Sequence, residues 1–115
     1  MEIVRNENRI KKANSPVCSV HEYPTSNPNI DIATAIISGR EPIDGVAENI
    51  VCVELVLVTR GCGTITIDGR EFQIYSGDSI VIEPGEKFVW FGDLELVIVC
   101  SPRWSVEQHI IHTVS

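Results

Sequence analysis

The residues with the most chemical capacity gather around one carboxylate. Glu54 stands inside Ile50-Val51-Cys52-Val53-Glu54-Leu55-Val56-Leu57-Val58-Thr59, a run otherwise apolar up to its terminal threonine. An unpaired carboxylate is costly to bury, so Glu54 must face a polar cavity, meet a cation or donor, or stay protonated. If burial raises its pKa toward neutrality, it becomes a candidate general base. Glu48 and Cys52 precede it at even spacing and would share one strand face with it. Glu48, Cys52 and Glu54 are therefore the fallback set for a metal. His109 and His112 stand three residues apart, which would place both on one face of a short helix. His21 reads as an edge-strand or surface residue. There is no Ser-His-Asp or Cys-His arrangement. The glycines of Gly61-Cys62-Gly63 lie between strands rather than before a helix, which makes them a turn and not a phosphate cradle.

The elements that must position these groups are strands. The run from Ile50 to Thr59 is largely β-branched, has no Gly or Pro, and reads as a strand buried on both faces. Residues 17–23 alternate weakly, and 30–38 form a second strand after the turn-rich segment from Pro24 to Asn29. Beyond the glycine bend, residues 64–67 alternate with period two. Asp68-Gly69 is the pair favoured in type I′ hairpin turns, and Arg70 to Tyr75 returns as the partner strand. Ser79–Glu83, Lys87–Phe91 and Leu94–Cys100 complete about eight short strands, with turns at Ser76-Gly77-Asp78, Pro84-Gly85 and Gly92-Asp93. Strands and turns at that spacing, without an internal helix, predict an all-β sandwich or barrel. Ser105-Val106-Glu107-Gln108 has the form of a capping box and predicts one helical turn near the end.

The chain of 115 residues has room for one core, hence one domain. Residues 1–16 read as an N-terminal arm or edge strand, 17–104 as the barrel, and 105–115 as a short C-terminal tail. A net charge of −7 argues against a nucleic-acid partner, because the only basic cluster is Arg9, Lys11 and Lys12. No signal-type segment and no membrane-spanning run is present, so no membrane partner is expected and a cytoplasmic location is. The four cysteines (Cys18, Cys52, Cys62, Cys100) lack C-x-x-C spacing. They are expected to be reduced, with Cys52 and Cys100 behaving as small hydrophobes.

From Ile36 to Trp104 the chain resembles the cupin superfamily, in particular its small single-domain members with a type-2-like barrel. Cupins carry a first motif G-x5-H-x-H-x3,4-E-x6-G and a second, G-x5-P-x-G-x2-H-x3-N. Glu54 and Gly61 match the E-x6-G spacing, and Gly77 and Gly85 fall on the two glycines of the second motif, with Glu83 at its proline. The resemblance implies a double-stranded β-helix, or jelly-roll barrel. It also implies where metal-binding histidines would stand, and those positions are Ala47 and Asn49, or Glu48 and Ile50, and then Phe88. With only Glu54 left of the usual ligands, no cofactor is expected, and a divalent metal on a non-standard set is the alternative. In the family's register Phe88 and Trp90 point inward with Glu54. Glu54, Cys52, Phe88 and Trp90 are then the expected walls of a site for a small, sugar-like ligand. The bland alternative is a barrel filled by these rings, with Glu54 paired to Arg60, Arg70, Arg103 or a tyrosine. Three functions stay open: a metal-free ligand binder, an enzyme of isomerase, epimerase or dioxygenase type using Glu54 or a metal, and a structural or regulatory homodimer, since cupins commonly dimerise.

Overall fold

A computed structural model describes residues 1–113. Nine strands form it: β1 (Ile10–Ser15), β2 (Cys18–Tyr23), β3 (Asp31–Glu41), β4 (Val46–Asn49), β5 (Val53–Ile67), β6 (Arg70–Tyr75), β7 (Ser79–Ile82), β8 (Lys87–Ser101) and β9 (His109–His112). They curl into an all-β, antiparallel barrel. One path through the sheet runs β1-β2-β3-β8-β4-β9, and β5 lies on β8 with β6 and β7 on its far side. No described helix is long and apolar enough to cross a membrane.

The long strands β5 and β8 form the spine, paired from Val53↔Ser101 to Ile67↔Phe88. Two expected turns disappear into them. Gly61-Cys62-Gly63 lies inside β5, and Gly92-Asp93 inside β8. Gly63 and Gly92 are register partners. A Cβ on Gly63 would strike the carbonyl oxygen of Phe91, and one on Gly92 would stand 2.7 Å from that of Cys62. These glycines let two strands bend together at close range rather than end. Each strand therefore serves both halves of the barrel.

Burial along the first half of β5 alternates. Glu54, Val56 and Val58 face in, whereas Leu55 and Leu57 are 45% and 44% exposed. The expectation of a strand buried on both faces is corrected: one face only is covered, because the outer surface of this sheet has no further layer on it. Val56, Val58, Ile65, Ile82, Leu94 and Leu96 make the fully buried part of the core.

The chain end is also corrected. Within the expected tail, His109–His112 pair with β4 as a ninth strand, from Val46↔His112 to Asn49↔His109, and residues 114–115 lie outside the described residues. A short 3-10 turn, Val106–Gln108, leads into it, and Ser105 gives it no side-chain cap. At the other end, residues 10–15 are the edge strand beside β2.

Candidate functional site

Three inward positions of β3 and β4 carry alanine, Ala33, Ala35 and Ala47, and Cys18 and Cys100 line the same space. Small residues on facing strands leave the barrel interior unfilled. The result is a cavity of about 460 Å³, with Glu54, Phe88, Trp90 and His109 in its wall. The ring-filled barrel is thereby corrected: Phe88 and Trp90 are buried, yet they line a space instead of closing it.

Glu54 reaches this wall through the alternation of β5, where it sits between Ile82 of β7 and Cys100 of β8. It is 6% exposed. Among the described residues no arginine or tyrosine meets it. Its partners are the Nδ2 of Asn49, which donates to Oε1 at 3.3 Å, and the Sγ of Cys100 at 3.9 Å. Burial is the main cause that raises its pKa to about 7, and the Asn49 hydrogen bond only partly opposes this. The Cys100 thiol is pushed up as well, chiefly by burial and then by the neighbouring Glu54, so it stays protonated and can donate.

Asn49 connects Glu54 to the last strand. Its Oδ1 lies 3.0 Å from Gln108 Nε2 and 2.9 Å from His109 Nδ1. Gln108 Oε1 in turn accepts from the backbone N–H groups of Val51 and Cys52, at 3.2 and 3.1 Å. His109 packs against the rings of Trp104 and Phe88, with centroids 5.5 and 6.4 Å apart. Desolvation in this apolar setting holds its pKa below the usual histidine value.

Several expected site residues lie elsewhere. Cys52 is not on the strand with Glu54 but in the bend before it, and its thiol donates to the carbonyl oxygen of Pro102 at 3.2 Å. It is not part of the cavity wall. Glu48 pairs with His112 at 2.7 Å, away from Glu54. His109 and His112 are on a strand and not a helix, so a spacing of three puts them on opposite faces, one at the cavity and one beside Glu48. Sequence reading missed Asn49, Gln108, His109 and Trp104 as a group. The available signals were the alternating alanines of β3, which announce a cavity, and an Asn and a Gln that end up buried.

No protein-family model and no curated protein matches the chain. Solved structures do. Pac13 of Streptomyces, described as a unique nucleoside dehydratase and also solved with uridine, has a TM-score of 0.88 at 14% identity. That match covers 98% of this chain and 92% of Pac13. An RmlC-like cupin from Shewanella frigidimarina matches with a TM-score of 0.71 at 14% identity, over 86% of this chain and 88% of that one. The fold is a cupin barrel. Ectoine synthase from P. lautus shares it, with a TM-score of 0.74 at 14% identity, over 100% of this chain and 92% of that one. At these identities the likeness is one of fold.

Cupin barrels are associated with a divalent metal, and the residues of this cavity do not fit one. Among the described residues no three His, Cys, Asp or Glu side chains are grouped to hold an ion, where a first-row metal needs three or four such donors. The fallback set of Glu48, Cys52 and Glu54 is dispersed by the contacts above. What this site does bring together is a carboxyl that protonates near neutrality, an imidazole whose pKa is lowered by burial, and an aromatic wall.

Proposed function

We propose that this cupin is a metal-independent enzyme of the proton-transfer class, an isomerase or lyase acting on a small hydroxylated ring compound, with Glu54 as the proton carrier. The observation that carries the reading is the Glu54 carboxyl, buried at the wall of a roughly 460 Å³ cavity with an amide and a thiol, and no cation, beside it. A structural ion pair would have a cation there. A carboxyl held near its own titration point is instead suited to give and take protons at neutral pH. The cavity has the size of a small-molecule site, and Phe88 and Trp90 form part of its wall.

The charges lining the cavity narrow the ligand. Glu22, Asp31, Glu41 and Glu107 line it together with Lys12 and Arg103. Lys12 is engaged by Glu22 at 2.9 Å, and Arg103 donates through Nη1 to the Thr25 carbonyl. This surplus of acids disfavours a phosphorylated ligand and favours an uncharged or cationic one. A neutral ring compound also agrees with a neighbour in fold that was solved with uridine.

The test is a panel of nucleosides and sugars, uridine included, followed by NMR of the Trp90 indole and the Glu54 carboxyl carbon. At least one compound is expected to shift both signals and to be consumed. Glu54→Gln should slow consumption by about a hundredfold or more while leaving the indole shift. Binding without consumption of any compound would reduce the protein to a ligand binder, and no binding at all would overturn the reading.

A dimer is a second proposal. Val81, Leu55, Val99, Ile32 and Tyr23 are register neighbours across five strands on the outer face, an uncharged row in which Leu55, Val81 and Ile32 are exposed. A second copy of this chain is the occupant we propose, since an uncharged row allows two acidic chains to meet without opposing carboxylates. Light scattering at tens of micromolar should give twice the monomer mass, and Leu55→Glu should halve it. A monomer in the unmodified chain would end this proposal.

A further inference from the structure

The hydrogen bonds behind Glu54 have a direction that can be read without assuming any amide orientation. Backbone N–H groups can only donate. Two of them, on Val51 and Cys52, point at one end of the Gln108 side chain, so that end is the oxygen. The other end is then the NH2 group, 3.0 Å from Asn49. A donor there requires an acceptor opposite, which fixes the Asn49 oxygen toward Gln108 and its NH2 toward Glu54. The same Asn49 oxygen lies 2.9 Å from Nδ1 of His109, so Nδ1 must carry a proton and donate it. In a neutral imidazole with Nδ1–H, Nε2 is left as a lone pair.

We infer that His109 is a second acid–base residue of this cavity, held by Gln108 and Asn49 as the Nδ1–H tautomer so that Nε2 is the base toward the ligand. The inference deepens the proton-transfer reading and rests on it for the ligand. Gln108 and Asn49 are positioning residues. They act through His109 and Glu54, and Gln108 takes its own orientation from the main chain. His109 contributes to the cavity wall, and Trp104 and Phe88 flank its ring. One amide, that of Asn49, separates the imidazole from the Glu54 carboxyl, so the two groups address one ligand from neighbouring points.

The division of labour follows. Nε2 accepts a proton from a C–H or O–H of the ligand, and the bonding pair moves into the ligand. Glu54 donates its proton to the oxygen where that charge arrives, either a leaving hydroxyl, which departs as water, or a carbonyl, which becomes an enol. One proton enters the protein and one leaves it. Exchange with water then returns His109 to its neutral form and Glu54 to its protonated form. No oxidant or reductant takes part.

The tautomer can be measured in the free protein, independently of any activity. Long-range ¹H–¹⁵N correlation spectra of the ¹⁵N-histidine-labelled chain should show His109 with a protonated Nδ1 and an unprotonated Nε2. Diethyl pyrocarbonate should acylate His109 at Nε2. In Gln108→Glu the backbone acceptor is retained but the donor toward Asn49 is lost. The Asn49 amide then turns its NH2 to the new carboxylate, and His109 should switch to the Nε2–H tautomer and lose the acylation. An unmodified protein whose His109 is the Nε2–H form, or a rapid average of both, would overturn the inference from its spectrum alone, whether or not the variant folds. So would a folded Gln108→Glu whose tautomer is unchanged. A failure of the ligand panel would leave the tautomer result standing, so the two readings fail separately.

Discussion

Asn49 donates to Glu54 in the buried interior of the barrel, Nδ2 to Oε1 at 3.3 Å, and the two residues come from different strands, β4 and β5. The bend between them, residues 50–52, carries the N–H groups that orient Gln108. One neutral amide is a weak counterweight to burial, which is why the carboxyl keeps its proton up to about pH 7.

Stability should fall with rising pH through this group. Its folded pKa, about 7, lies above the unfolded value of 4.5, so the folded state holds the proton more tightly. The contribution is full below about pH 4.5, declines between 4.5 and 7, and is lost above that. A shift of this size corresponds to roughly 3 kcal/mol. Urea titrations should show Glu54→Gln gaining stability relative to the parent at pH 8 and losing that advantage at pH 4.5. Equal differences at both pH values would contradict the burial of an unpaired carboxyl.

Activity on any substrate found should follow a bell. Glu54 must be protonated and His109 neutral, and their shifts lie in opposite directions, the acid raised to about 7 and the imidazole lowered from 6.5. The two requirements therefore overlap below pH 7. The alkaline limb should fall near pH 7 and vanish from the residual rate of Glu54→Gln. The acid limb should belong to His109, lie below pH 6.5, and vanish in His109→Gln. A rate still climbing through pH 9 would reverse the assignment of acid and base.

Filling the cavity should separate binding from folding. Ala35 faces the cavity from β3 and is buried. In Ala35→Leu the larger side chain has empty space to enter, so the thermal midpoint should stay near that of the parent while binding of the ligand is lost. A drop of more than about 3 kcal/mol, the upper end of overpacking costs in a filled core, would show that the space is not there.

The glycine pair of the spine should be intolerant. Gly92 has φ +132°, and a Cβ on it meets the Cys62 backbone. Gly92→Ala should destabilise the barrel by about 2–4 kcal/mol, combining backbone strain with steric clash, whereas Gly69→Ala, with open space around it, should carry only the cost of a positive φ. Chemical denaturation of the two variants side by side reads the difference.

Chelation should change nothing. With no three His, Cys, Asp or Glu side chains grouped among the described residues, the protein purified without a metal-affinity tag should contain less than stoichiometric metal and keep its melting temperature in EDTA. One equivalent of a first-row metal, removed together with stability, would require a ligand set other than the one Glu54 belongs to.

The sequence by itself determined a great deal of this protein. Short β-branched runs separated by Asp-Gly, Pro-Gly and Ser-Gly-Asp turns determined an all-β barrel, because strand alternation and turn chemistry are local properties. The E-x6-G spacing and the paired glycines of the second motif pointed to the cupin family. Glu54 was legible because a carboxylate in an apolar strand is conspicuous however the strand is packed. What only the tertiary structure decided is the remainder of the site. Glycines that end a strand and glycines that let two strands pass closely look alike in sequence, and the Gly63–Gly92 approach exists only once β5 meets β8. The last strand looked like a tail because its four residues, His109-Ile110-Ile111-His112, have no local signal strong enough to outweigh a capping box. Pairing with β4 made it a strand. That single long-range pairing set Gln108 against the backbone at 51–52 and His109 against Asn49, five residues before Glu54. Hydrogen-bond partners some sixty positions apart in the chain carry no periodicity, so no reading of local pattern could have joined them.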